Sequence, residues 1–256
     1  MKKTAIITGA SSGLGRAMVF ELADRFGPIE EIWVIARRSE RLEDLDGQIT
    51  AKIRKFPMDI TDKSSWKILK KALEEEKPDV KFLINAAGYG KLGHSQEISL
   101  EDETGMIGLN CMALTAVTHI VLPFMSRHSR ILQFASAAAF LPQPGFAVYA
   151  ATKSYVLSYS VALNEELKGR DIVVTAVCPG PVNTEFFDIA ETTGKTPFYK
   201  KIFMADPKKV VRKAVTDSAA GRTVSIYGIP MKAFFLLCRA LPHRLILRIM
   251  TAIQGE

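Results

Sequence analysis

Tyr149 and Lys153 stand four residues apart in Tyr149-Ala150-Ala151-Thr152-Lys153, and Ser136 lies thirteen residues upstream. On a helix that spacing puts both side chains on one face, so an ammonium can sit beside a phenol and lower its pKa into a range useful for acid or base work. A serine hydroxyl reaching the same point from a strand end completes a set able to hold one carbonyl oxygen and exchange a proton with it. Taken singly, the residues have plainer readings: Tyr149 and Lys153 as a helix-surface pair, Ser136 as a strand-end cap. The surrounding elements decide between the two.

Thr4-Ala5-Ile6-Ile7-Thr8 is a short apolar, β-branched run that passes directly into Gly9-Ala10-Ser11-Ser12-Gly13-Leu14-Gly15 and then into a helix-like stretch from Arg16 to Arg25. This reads as strand, glycine-rich turn, helix. The turn brings backbone close to a ligand, and the helix N-terminus offers unpaired N–H groups to a pyrophosphate. Further strand-like runs cover 31–36, 51–57, 80–86, 130–136, 172–177 and 223–227, with helical stretches between them. The alternation predicts an α/β fold, a doubly wound, mostly seven-stranded parallel sheet with helices on both faces and ligands at the carboxyl ends of the strands. Gly9, Arg37, Asp59, Asn85, Ser136 and Pro179 each follow or close a predicted strand.

A chain of 256 residues with 48% hydrophobic content suits one large core. No unbroken run of 18 uncharged apolar residues is read, and Met1-Lys2-Lys3 leads at once into a strand, so neither a transmembrane span nor a signal peptide is expected. Cys111, Cys178 and Cys238 are scattered and odd in number, which fits a reducing, cytoplasmic setting without disulfides. His94, His119, His128 and His243 lack metal-ligand spacing, and no metal is expected. The net charge of +7 forms no stripe interleaved with aromatics, so no nucleic acid is expected.

With these motifs in place, the chain resembles a classical short-chain dehydrogenase/reductase from about Thr4 to Thr184. Thr8 to Gly15 matches that family's cofactor turn, Asn85-Ala86-Ala87-Gly88 its sheet-stabilising segment, and Pro179-Gly180-Pro181-Val182-Asn183-Thr184 its nicotinamide-side loop. Asn110 matches its further catalytic Asn. The resemblance implies a single-domain Rossmann fold and an oxidoreductase in which Ser136 binds a substrate carbonyl, Tyr149 exchanges its proton and Lys153 holds the nicotinamide ribose. Asn110 would hold a water through its backbone carbonyl. The implied cofactor contacts are Gly9, Ser11, Ser12, Gly13, Leu14, Gly15, Asp59, Asn85, Ala86, Gly88, Pro179, Gly180, Val182 and Thr184, together with Tyr149 and Lys153 themselves. Asn85 also has a sheet-bridging role, and Asp59 would meet the adenine or cap the helix near Lys63.

The end of the second strand, Trp33-Val34-Ile35-Ala36-Arg37-Arg38, bears on the cofactor. NAD-using relatives place an acid where this chain has Ala36. Two guanidiniums can make charge-assisted contacts to a 2′-phosphate instead. At about 1.5 to 3 kcal/mol for such a contact, NADP(H) is expected over NAD(H) by roughly ten- to a hundredfold, with Arg37 as first contact and Arg38 as second. Ser12 departs from relatives that carry a basic residue in the glycine turn, which points to a partial preference.

Residues 1–228 are read as the nucleotide-binding and catalytic unit, with a substrate lid at about 185–206 carrying Phe186, Phe187, Phe198, Tyr199 and Phe203. Ala137, Ala138, Ala139, Phe140, Leu141 and Phe146 flank the center, so an apolar ketone or secondary alcohol is the expected substrate. Asp206-Pro207 should launch a helix to about Ala219. Residues 229–256 form a basic amphipathic extension: from Pro230 to Gln254 there is no acid, while Lys232, Arg239, Arg244 and Arg248 are cationic. Ile246, Ile249, Met250 and Ile253 would share its apolar face. It either packs on the body or on a second subunit of a homodimer or homotetramer, or lies on an anionic membrane. Some members of the family's DltE-like branch have a similar tail. The competing function is a cofactor-binding sensor or membrane-associated protein with little turnover.

Overall fold

The structure, a computed structural model, describes residues 1–27, 29–191 and 204–254, with side chains up to Arg248 at the C-terminal end. Among these residues seven strands form one parallel sheet: β1 (Lys3–Thr8), β2 (Glu31–Ala36), β3 (Lys52–Pro57), β4 (Asp79–Asn85), β5 (Arg130–Phe134), β6 (Val173–Val177) and β7 (Val224–Ser225), in the spatial order β3-β2-β1-β4-β5-β6-β7. This is a single Rossmann-like domain.

Both faces of the sheet are dry because alternate residues of each strand supply one core apiece. Ile7, Val34, Ile84 and Leu132 pack with Met18, Val19 and Leu22 of α1 (Gly13–Arg25), and Val211, Ala214 and Val215 complete that layer. Ile6, Trp33, Ile35, Leu83 and Val174 meet Leu69 and Leu73 of α3 (Lys63–Glu76), with Val117, Val121 and Leu163. The short α2 (Ser39–Glu43) follows β2. The order in which strands are added reverses after β3, since β4 sits on the opposite side of β1, and the crevice at that switch opens beside Gly9.

The composite helix of α4 (Leu100–Ile107), a π-helical turn at Gly108–Ala113 and α5 (Leu114–Val121) starts from Ser99, whose Oγ accepts the Asp102 N–H. Its run from Leu100 to Phe124 has the length and hydropathy of a membrane span, although Asn110, Thr115, Thr118 and His119 interrupt its apolar residues. Met106, Ala113, Leu114, Val117 and Val121 are nevertheless buried in this domain.

Beyond β5 come α6 (Ala147–Leu167), α7 (Phe186–Ala190), α8 (Pro207–Ala219), α9 (Ile229–Ala240) and α10 (His243–Gln254). Asp206 Oδ1 accepts the Lys208 N–H at 2.7 Å, so α8 begins at the expected proline. In the C-terminal extension, Phe140 meets Phe235 at 4.8 Å and Phe234 at 6.4 Å, and Cys238 and Ile246 are buried beside Ile226. Packing on the body therefore accounts for these side chains, while Ile229, Leu236, Leu237 and Leu245 stay exposed. The side chains of Ile249, Met250 and Ile253 lie outside the described residues, as do Phe198, Tyr199 and Phe203.

Two strands end more than one residue short of expectation. β5 stops at Phe134, because Ser136 turns the chain into a 3-10 turn at Ala137–Phe140. β7 is only two residues long, paired with β6 alone at the sheet edge.

Candidate active site

The turn after β1 is shaped by its neighbours. Gly9 has φ of +71°, its N–H donates to the Ile35 carbonyl at 2.9 Å, and a Cβ there would lie 2.7 Å from the Ala87 nitrogen. Only glycine fits such a position. Thr8 Oγ1 accepts the Ala87 N–H at 3.2 Å, locking the segment after β4 against the turn. Ser12 precedes α1 without capping it through its side chain, and the first N–H groups of that helix face the crevice mouth.

Ser136 has extended backbone, and its Oγ accepts the Ala138 N–H at 3.1 Å. The neighbouring Ala137 N–H donates to the Pro179 carbonyl at 2.8 Å, tying the serine turn to the Pro179–Thr184 loop. Tyr149, in the first turn of α6, is 7% exposed and stacks on Phe146 with ring centers 4.2 Å apart, while Phe186 tilts against it at 5.4 Å. Lys153 Nζ donates to the Phe134 carbonyl at 2.8 Å and lies 5.6 Å from the center of the Tyr149 ring.

Burial dominates the electrostatics of this group. It pushes the Tyr149 phenol up to about 12, against a hydrogen bond with Ser136 that acts to lower it. It pushes the Lys153 ammonium down to about 8. The phenol thus lies above its usual range where the sequence led us to expect a depression: burial sets its direction, and the ammonium is bound to a strand carbonyl.

Asn110 is fully buried inside the π-helical turn. Its Nδ2 donates to the Tyr89 carbonyl at 2.9 Å and to Thr152 Oγ1 at 3.0 Å, and its Oδ1 accepts the Tyr89 N–H at 3.1 Å. The side chain thus pins the segment after β4 to the helix carrying Tyr149 and Lys153. Asn85 turns into the core, where its Nδ2 donates to Thr118 Oγ1 and Gln133 Oε1, both at 2.9 Å, bridging β4, β5 and α5.

At the far end Arg37 is mostly exposed and pairs with Asp59 at 3.6 Å. Burial acts to raise the Asp59 carboxyl, but the N–H and hydroxyl of Thr61 and the Arg37 charge together hold it below the usual range. Arg38 is the residue that reaches the glycine turn: it donates to Ser11 Oγ at 3.2 Å and to Glu185 Oε2 at 2.9 Å.

One cavity of about 1190 Å³ joins these parts. Gly9, Ser11, Ser12, Gly13, Leu14, Gly15, Arg37, Arg38 and Asp59 line its nucleotide half, and Ala86, Gly88, Ser136, Tyr149, Lys153, Pro179, Gly180, Val182 and Thr184 line its middle. Asn85 and Asn110 stand behind the wall. Phe187, Ile189, Met231 and Phe234 add apolar side chains to its lining. The volume, the glycine cradle at a helix N-terminus and the guanidinium beyond it fit a dinucleotide with room for a substrate. Sequence reasoning missed the wall from α9, the Tyr89 tie and the engagement of Glu185. The apolar pattern of Met231 and Phe234 was a signal for the first; the others join residues far apart in the chain.

A family model described as short chain dehydrogenase matches residues 3–193. Serine 3-dehydrogenase of Rhizobium radiobacter is 34% identical over 192 residues, covering 73% of this chain and 74% of that protein. A short-chain dehydrogenase from Sphingobium yanoikuyae, solved in complex with NADPH, is 26% identical with a TM-score of 0.77, covering 99% of this chain and 94% of that one. A short-chain dehydrogenase/reductase from Burkholderia phymatum, solved with NAD, has a TM-score of 0.79 at 22% identity over 92% of both chains, a likeness of fold. A sequence match over most of the chain and a shared sheet with its crevice agree, and the protein belongs to the short-chain dehydrogenase family of oxidoreductases.

Proposed function

We propose that the protein transfers hydride between NADP(H) and an apolar ketone or secondary alcohol, with Ser136, Tyr149 and Lys153 as the catalytic set and Asn110 positioning them. The observation that carries this reading is that Ser136, Tyr149 and the buried Lys153 line one cavity together with the glycine turn and a set of apolar side chains. Bound nicotinamide supplies or accepts the hydride. The chain's residues do the rest. Ser136 and Tyr149 hold the substrate oxygen, and Tyr149 gives it a proton in reduction and takes one in oxidation. Lys153 holds the ribose and stabilises the phenolate left behind. Such positioned acid–base help contributes on the order of 10²- to 10⁴-fold.

The relatives solved with NADPH and with NAD leave cofactor preference to this chain's own residues. Arg38 beside Ser11, and Ala36 where an acid would hold a ribose diol, favour the phosphorylated cofactor. Phe146, Phe186, Phe187, Met231 and Phe234 favour an apolar substrate over a serine-like one. Self-association belongs to the same reading, since Ile107, Met112, Tyr155 and Val161 present exposed apolar side chains on α4 to α6 and the turn between them. The test is nicotinamide absorbance with wild type and Tyr149→Phe over a panel of apolar ketones and alcohols. We expect turnover with NADP(H) that falls by at least about a hundredfold in the variant while NADPH still binds; equal turnover in both proteins overturns the assignment.

A further inference from the structure

Glu185 is the last residue before α7, and its carboxylate bridges two guanidiniums. Oε2 accepts from Arg38 Nη1 at 2.9 Å, and Oε1 lies 3.4 Å from Arg41 Nη2. Arg38 is at the same time held by Ser11 Oγ at 3.2 Å, and Arg16 Nη1 fixes the Arg41 carbonyl at 3.1 Å, so both cations are set around one point beside the glycine turn. The hydrogen bond from Arg38 is the main reason the Glu185 carboxyl lies below its usual range, with the charges of Arg38 and Arg41 and a hydrogen bond with Ser12 adding to it and burial opposing.

Two guanidiniums, one on each oxygen of a single anion, make the arrangement that a phosphate on a ribose 2′-hydroxyl requires. The carboxylate already stands in it, and it is also the one kind of group that a ribose diol would accept in place of the acid missing at Ala36. We propose that Glu185 is a specificity-determining residue that competes with the cofactor's 2′-phosphate for Arg38 and Arg41, so that discrimination between NADP(H) and NAD(H) is set by an internal anion 147 residues along the chain from Arg38.

The inference rests on the reading of this cavity as a nicotinamide-cofactor site that favours NADP(H). A phosphate displaces the carboxylate because it carries more charge and more acceptor oxygens, but it does so against the lost Arg–Glu pairs. Arg38, Arg41 and Glu185 are each 38% to 46% exposed, so those pairs are weak. Removing the carboxylate charge is therefore expected to tighten NADP(H) by roughly three- to tenfold. With NAD(H) nothing is displaced, and affinity stays within about twofold or weakens as the diol loses its acceptor.

The measurement is direct titration of wild type, Glu185→Gln and Glu40→Gln with NADPH, NADH and adenosine 2′,5′-bisphosphate, followed by nicotinamide fluorescence or calorimetry, with melting temperature as the check on folding. Tighter NADPH and bisphosphate in Glu185→Gln, with NADH not tightened and Glu40→Gln like wild type, supports the proposal. Unchanged NADPH affinity in folded Glu185→Gln overturns it. Equal tightening by Glu40→Gln also overturns it, since net charge would then suffice. The underlying preference is judged separately, on wild type alone: NADPH no tighter than NADH there removes that preference, while a ratio that rises on going to Glu185→Gln still supports the role of Glu185.

Discussion

Lys153 is the residue at which burial and charge conflict most sharply. Its folded pKa of about 8 lies below the ordinary lysine value of 10.5, so between these pH values the unfolded chain carries a proton that the folded chain has shed. The sign follows: the stabilising contribution is present above about 10.5 and lost as pH falls through about 8. Tyr149, raised from 10.0 to about 12, acts in the opposite sense and only above pH 10. Unfolding free energy measured by urea titration from pH 7.5 to 9.5 should therefore contain a rising component in wild type, on the order of 1 to 2 kcal/mol over that span, that is missing in Lys153→Met. The Tyr149, Lys153 and Ser136 trio was legible from type and spacing, because a helix fixes which residues share a face. The Glu185 contacts were not, since nothing in the spacing of 38, 41 and 185 announces that they meet.

The π-helical turn at Gly108–Ala113 does what a regular helix could not do at the same length. One extra residue in the turn swings Asn110 inward, between Tyr89 and Thr152, midway along a helix that otherwise packs on the sheet. Asn110→Ala leaves the Tyr89 N–H and carbonyl without these partners, at roughly 2 to 4 kcal/mol in all. The expected result, read by calorimetry and steady-state kinetics, is a melting temperature lower by roughly 5 to 12 °C and a loss of kcat larger than any change in NADPH affinity. Apolar periodicity fixes a helix but not its local pitch, so the helix starting at Ser99 was predictable and the π turn was not. The strands were easier: 31–36 came out as expected because a parallel strand buried on both faces reads as an unbroken apolar run. The predicted 223–227 shrank to Val224–Ser225, because an edge strand needs no more than its single neighbour provides.

At the scale of the whole molecule, the C-terminal helices add an apolar lining to the cavity of a nucleotide-binding sheet. Met231 and Phe234 of α9 line the cavity, and Phe235, Cys238 and Ile246 cover Phe140 and Ile226. Ending the chain at Gly228 uncovers that cluster. We expect the shortened protein to melt at least about 10 °C lower by differential scanning fluorimetry and to lose turnover of apolar substrates, and Phe234→Ala in the full chain to raise KM several-fold while NADPH affinity holds within about twofold. The amphipathic pattern of this region was plain in the sequence. That its inner face would meet Phe140 was not, because an apolar stripe does not name what covers it.

The strand order carries a consequence for how the molecule comes into being. Every neighbouring pair in β3-β2-β1-β4-β5-β6-β7 is parallel, so none closes through a short hairpin, and a full-length chain refolding from denaturant must gather distant segments by slow crossovers. A chain emerging from a ribosome has an easier path. By residue 85 it has made four strands that are all neighbours, with the glycine turn and Arg38 among them, and the helix at 229–240 follows only after the sheet is complete. The glycine turn and Arg38 thus exist before Met231 and Phe234, and Glu185, which closes on Arg38, is added between the two.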